Sequence, residues 1–427
     1  METFYLPRWL KEEGGMDPEL ADALKFELDK RLYYYGAQFA YPQERAYLER
    51  KYRGLKTLVR GAAARLKPSS RPGRAGLEKI SSNAYFNLNT ALEEAGFVAQ
   101  GAPWTLSPAE LGDAKLYRQI DFLKRSFDQA DFKTLLSPAF QARVAAFRTG
   151  LREFYRRRGY AALVVPFDMP FFERCAIAAF RELGRPSFVA LHGLPGRYNA
   201  KDDNRANYLL VWGERIKELY VQAGVPGEKI FVTGRPGPAA PPPLEPRFST
   251  ADVLVISKSM NGAQHSGEEI LSDRGNLPLY LYSVRKGLED AGVKRARLRL
   301  HPSESAAWYK GFVGGEFYSF DSAPLAASLK RATLVVGPTS TVFVEALLAG
   351  VNYLVYEPAA NGRDLTNYPL VPPFDGSEPG VPCAGAPAEL AQLIAGKKAV
   401  ATAVLARYLK TPFSLPSVLT ALSGGAE

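Results

Sequence analysis

From residue 161 onward the chain alternates short apolar runs with stretches of helical length. Residues 161–167 (AALVVPF), 187–191 (SFVAL), 208–212 (YLLVW) and 230–233 read as strands, and helices are predicted over 172–183 and 214–223. Strands spaced by helices imply a parallel, doubly wound sheet, because a parallel crossover needs a helix on the sheet's face. Residues 236–246 (PGPAAPPPLEP) are more than half proline, which excludes helix and central strand and marks an interdomain linker. The pattern then restarts. Strands are predicted at 253–257, 297–300, 334–336 and 353–356, and helices at 277–291, 324–330, 342–348 and 388–394, followed by a tail over 399–422. The first 150 residues read as mostly helical. The expected organisation is an α/β chain with two Rossmann-like domains, 1–240 (with a helical N-terminal extension) and 248–398, facing each other across a cleft, and a helical tail, 399–427.

Composition narrows the class. A length of 427 residues exceeds one ordinary domain, and 46% hydrophobic with 23% charged residues belongs to a folded globular protein. No apolar run approaches the ~20 residues that span a bilayer. The N-terminal METFYLPRWLKEEGG has acidic residues where a signal peptide needs a basic start, so a cytoplasmic protein is expected. Cys175 and Cys383 are too few for a disulfide framework or a Cys-based zinc site, and their surroundings predict buried, inert thiols. The net charge of +10 favours an anionic partner. It is concentrated in Lys51, Arg53, Lys56, Arg60, Arg65, Lys67, Arg71, Arg74 and Lys79, and again in Arg152, Arg156, Arg157 and Arg158. Neither cluster interleaves aromatics or carries a groove-reading motif, so nucleic acid is not an expected partner. A solvated helical face is the alternative reading of each.

Ligands of open parallel sheets bind at the carboxyl ends of the strands. After the strand at 297–300 comes His301-Pro302-Ser303-Glu304. After 334–336 comes Gly337-Pro338-Thr339-Ser340-Thr341, running into a helix that carries Glu345. Gly337 allows a close turn, the three hydroxyls offer donors, and the helix start adds free N–H groups, together a phosphate site. Glu345, one turn on, is placed to accept from a ribose. An N-cap role for Thr339 or Ser340 is the competing reading. Two of only three histidines, His192 and His301, stand at predicted strand ends. No G-x-G-x-x-G follows a strand, which disfavours a Rossmann oxidoreductase, and the scattered histidines without D-x-D disfavour a metal enzyme. Two βα domains on a Pro-rich linker make GT-B the leading architecture.

The His-Pro and Thr-Ser-Thr pair resembles the motifs of bacterial CMP-sugar transferases: sialyltransferases, polysialyltransferases and the β-Kdo transferases of capsule and lipopolysaccharide assembly. Residues 297–304 (RLRLHPSE) with Trp308 and Tyr309, 191–199 (LHGLPGRYN), 211–214 (VWGE) and 271–277 (LSDRGNL) are closest to the Kdo group. The resemblance covers about residues 160–375. It implies a GT-B fold, CMP-β-Kdo as donor substrate, CMP held by the second domain without metal or other cofactor, His301 on the donor phosphate or leaving group, and the Ser/Thr loop on phosphate. It also implies a retaining reaction, for which Asp273 is the expected nucleophile on chemical grounds. Asp273 as a helix start is the competing reading, with Glu268 and Glu269 as substitutes.

Glu173 occupies the region where such transferases keep a general base, with Asp168 the competing assignment and a plain helix-surface Glu the third reading. Lys258, Ser259 and Arg274 share a loop suited to the sugar carboxylate or phosphates, beside Pro302 and Ser303 of the His-Pro loop. His192, Gly193, Arg197 and Tyr198 are expected on the acceptor side. Asp202 and Asp203 lack the Gly that follows the acidic pair of sialyltransferases, since Asn204 stands there. The expected partners are a CMP-activated acidic sugar and a lipid-linked or surface-polysaccharide acceptor, met at the cytoplasmic face of the inner membrane. A polyol-phosphate transferase and a non-catalytic glycan- or nucleotide-binding protein remain as alternatives.

Overall fold

The computed structural model describes residues 16–24, 27–28, 78–82, 88–129, 132–200, 204–237, 245–258, 276–301, 304, 306–313, 315–360, 362–365 and 369–422. Two six-stranded sheets organise it. The first contains β1 (Lys79–Ser82), β2 (Val98–Gly101), β3 (Tyr160–Val165), β4 (Ser187–Ala190), β5 (Tyr208–Val211) and β6 (Ile230–Val232), in the spatial order β2-β1-β3-β4-β5-β6. The second contains β7 (Val253–Ile256), β8 (Ala296–Arg299), β9 (Tyr318–Phe320), β10 (Leu334–Gly337), β11 (Tyr353–Tyr356) and, past a small β12 (Ala359–Ala360) and β13 (Arg363–Asp364) ribbon, β14 (Cys383–Ala384), in the order β14-β11-β10-β7-β8-β9. Every pairing within both sheets is parallel. Two doubly wound sheets in one chain make this a GT-B α/β architecture.

The apolar runs form strands because helices cover both faces, leaving β4, β7, β10 and β11 buried throughout. The described part of the first 150 residues is mostly helical, as expected, but it also holds β1 and β2, which extend the first sheet. Their sequences, KISS and VAQG, are short and mostly small or polar, so periodicity does not mark them. They qualify as strands only because β3 offers β1 a parallel edge. β9 and β14 are likewise too short to stand out.

One hydrophobic core runs from Met16 and Leu20 through Val165 and Trp212 to Val335, Phe343 and Tyr353, so the two sheets share a packed seam. The tail crosses back over that seam. Helix Thr402–Tyr408 lies on helix Glu214–Gln222, and Leu419 is fully buried among Ile80, Ala162, Val164, Phe188 and Leu210 of the first sheet. Backbone bonds fix the crossing, from Lys410 N to Trp212 O at 2.7 Å and from Ser414 N to Thr233 O at 2.8 Å. Glu378 of the second domain, 2% exposed, accepts from Arg215 Nε of the first at 3.0 Å, and from Arg407 Nη1 at 2.5 Å and Tyr408 OH at 2.9 Å of the tail.

Gly213 is required at this crossing by contact, since a Cβ there would overlap the Tyr408 carbonyl carbon and the Arg407 oxygen. Backbone cannot move aside as a side chain can. Gly213→Ala is therefore expected to destabilise the fold by about 1–3 kcal/mol, read by urea denaturation, whereas Gly184→Ala, with no atom within 4 Å of its Cβ, loses only the cost of its left-handed backbone.

Candidate active site

In each sheet the chain reverses its direction of strand addition, and the crevice at that reversal is where ligands of such sheets bind. In the second sheet the reversal lies between β7 and β10. The segments leaving their carboxyl ends are Ser257-Lys258 and Gly337-Pro338-Thr339-Ser340-Thr341, so topology independently selects the loop that its residue types had marked. In the first sheet the reversal lies between β1 and β3, beside Asp168 and the helix carrying Glu173.

The loop after β10 is held from below. Tyr353 OH donates to Pro338 O at 2.7 Å and fills the space a Cβ on Gly337 would need. Thr339 donates through N (2.7 Å) and Oγ1 (2.9 Å) to Glu357 Oε2, while Glu357 Oε1 accepts from Lys258 Nζ at 2.5 Å. Asp364 Oδ2 is 2.8 Å from the same ammonium. Lys258 and Glu357 are each 4% exposed. Lys258, expected on the donor's anionic groups, is thus enclosed by two carboxylates, and its charge holds the loop together. Of the three loop hydroxyls, Thr339 is committed to Glu357, and Thr341 Oγ1 accepts from Leu194 N across the cleft at 3.2 Å. Ser340 Oγ accepts from Val342 N at 3.2 Å and keeps its proton to donate; the helix is capped at Thr341 without a side-chain bond, so neither Thr339 nor Ser340 is its N-cap.

The loop after β8 has its own organiser, Glu304, which the residue pattern did not single out. Glu304 Oε2 accepts from His301 N (3.0 Å) and Ser257 Oγ (2.5 Å), and Oε1 from Tyr309 OH (2.7 Å). Ser257 Oγ in turn accepts from His301 N at 3.1 Å. The turn is therefore pinned to the end of β7 while the imidazole of His301 projects to the surface. Desolvation by the surrounding protein lowers the pKa of that ring from the ordinary histidine value.

On the facing domain, Gly193 meets Thr341 directly; a Cβ on Gly193 would fall 2.5 Å from Thr341 Oγ1. His192 stands edge-on to Phe167 at 5.0 Å, with Nδ1 donating to Pro166 O at 3.2 Å, and burial lowers its pKa against that bond. Arg197 Nη2 lies 3.1 Å from Met169 Sδ, and Tyr198 packs edge-on against Tyr220 at 4.9 Å. Glu173 is 5% exposed, which removes the helix-surface reading. Asp168, 2% exposed, has its pKa raised by burial although Arg205 N donates to Oδ2 at 2.8 Å. Glu345 is held by Arg235 of the first domain, from Nη2 to Oε1 at 2.7 Å and from Nη1 to Oε2 at 3.3 Å.

Asp273, Arg274, Ser259, Pro302 and Ser303, with Glu268, Glu269, Asp202 and Asp203, lie outside the described residues, as does the basic run from Lys51 to Arg74. Among the described residues, no group of three or more His, Cys, Asp or Glu is placed to hold a metal, and no helix is long and apolar enough to cross a membrane. Burial pushes both thiols up to about 12; Cys175 is buried and Cys383 half-buried.

No family model matches the chain, and no curated protein does. Solved structures with a similar fold include UDP-GlcNAc 2-epimerase from Neisseria meningitidis bound to UDP-GlcNAc (12% identity, 82% of this chain and 98% of that one, TM-score 0.45). MurG from Acinetobacter baumannii matches at 11% identity over 79% of this chain and 87% of its own, TM-score 0.41. The lipopolysaccharide outer core galactosyltransferase WaaB matches at 13% over 67% and 80%, TM-score 0.37. At this distance the activity has to be argued from the chain's own residues.

Lys258→Met separates a structural lysine from a ligand-binding one. It removes the cation held between Glu357 and Asp364 and is expected to cost about 3–5 kcal/mol of stability in chemical denaturation. A lysine serving only the ligand would instead lose binding with the unfolding midpoint nearly unchanged.

Proposed function

We propose that this chain is a metal-independent, retaining glycosyltransferase of GT-B architecture, moving Kdo from CMP-β-Kdo to a lipid-linked or surface-polysaccharide acceptor. The observation that carries this reading is the convergence of three loops. The His301 loop and the 337–341 loop flank β7 at the reversal point of the second sheet, and the 192–194 loop of the first domain touches Thr341 across the cleft.

In this reading the donor phosphate takes hydrogen bonds from Ser340 and His301, and Glu345 accepts from the ribose. Asp273 attacks the anomeric carbon as CMP departs, forming a glycosyl–carboxylate bond. The acceptor hydroxyl then displaces that carboxylate, giving its proton to Glu173 or, in the competing assignment, to Asp168. A raised pKa suits Asp168 to hold that proton. Work at the cytoplasmic membrane face remains part of the proposal. The 152–158 cluster lends it no support, because Arg152, Arg156 and Arg157 pair with Glu182, Glu153 and Asp113, and Arg158 donates to Leu111 O.

CMP without added metal is expected to raise the melting temperature more than CDP, UMP or GDP, and His301→Ala to remove most of that shift and all transfer from CMP-Kdo. A larger shift with CDP would turn the assignment towards polyol-phosphate transfer; no shift with any nucleotide would overturn it. Intact-mass spectrometry after mixing with CMP-Kdo is expected to show a sugar adduct that disappears in Asp273→Asn. Its persistence would move the nucleophile to another carboxylate.

A further inference from the structure

The segment that carries the proposed donor contacts is gripped by the opposite domain at two points. Leu194 N holds Thr341 Oγ1, and Arg235 holds Glu345 through both carboxylate oxygens. Arg235 stands just past β6, ahead of the interdomain linker, with its guanidinium 5.8 Å from the centre of the Trp212 ring. The two charged side chains keep 21% and 24% of their surface exposed. This sets them apart from the sealed Lys258–Glu357 pair, whose side chains are 5% and 2% exposed. A pair about a quarter exposed is screened more than a sealed one and contributes less.

A carboxylate that receives a guanidinium fork on both oxygens offers a poorer target to vicinal hydroxyls, which need the same two oxygens. On the reading of Glu345 as the ribose acceptor, we infer that Arg235 is a positioning residue that competes with ribose. It latches Glu345 across the cleft, and a ribonucleotide displaces it. Opening of the latch and arrival of the nucleotide are then one coupled event, because the same oxygens serve both partners.

Calorimetric titration of CMP and 2′,3′-dideoxy-CMP into wild type and Arg235→Met tests this. Methionine keeps an apolar stem against Trp212 and removes the fork. CMP is expected to bind Arg235→Met about fivefold more tightly, the factor freed by one partly exposed ion pair, and dideoxy-CMP to bind both proteins alike. Arg235→Lys, which keeps the charge without the fork, is expected to fall between, and carries the test alone if the Met variant does not fold. CMP affinity that is unchanged or weakened in the variants, or a gain shared by the dideoxy nucleotide, would overturn the latch and leave the nucleotide site standing. Failure of CMP to bind wild type and both variants would overturn the nucleotide reading and the latch together.

Discussion

The buried carboxylate of Glu357 is the constraint on which the candidate site depends. It stands just beyond the end of β11 and reaches beneath the neighbouring strand's loop, where it takes both hydrogen bonds that Thr339 can donate. A charge so buried is tolerable only when neutralised, and Lys258 from the end of β7 does this with Asp364 as a third member. One ionic cluster thereby ties the exits of β7, β10 and β11 together. The hydroxyl of Ser340 and the turn at Gly337 inherit their positions from it. Glu304 repeats the device on a smaller scale for the His301 turn, using Ser257 as the bridge to the same β7 exit.

The relation between the two domains rests on a similar economy of charge. Glu378 collects Arg215 from one domain and Arg407 and Tyr408 from the tail that returns to it. The side chain is sealed from water, so the crossing is fixed in one geometry. At the cleft the contacts are of another kind. Gly193 against Thr341 is a close approach without an ion pair, and Arg235 with Glu345 is a pair still open to water. The seam is thus firm at its base and exchangeable where a ligand would enter, which suits a site assembled from two sheets.

Long apolar runs between helical stretches were enough to recover most strands of both sheets, because such runs have no other way to be buried. The segment 353–356 and the helix 342–348 coincide with the observed elements. KISS and VAQG were missed because a four-residue strand with one large apolar side chain carries no periodic signal and exists only beside its neighbour. Lys258 and Glu345 were legible as charged residues near a ligand site, but their partners, Glu357 and Arg235, stand about 100 residues away. No local pattern links residues so far apart.

By itself, then, the sequence determined the class of fold, its two βα units and the two loops carrying His301 and the Thr-Ser-Thr run. These follow from burial and backbone geometry, which act over a few neighbouring residues. Only the tertiary structure decided which charges are spent inside the protein and which are left for a ligand. A lysine or glutamate has the same chemistry wherever it falls in the chain. Its role is set by the dielectric around it and by the counter-charge the fold brings within hydrogen-bonding distance.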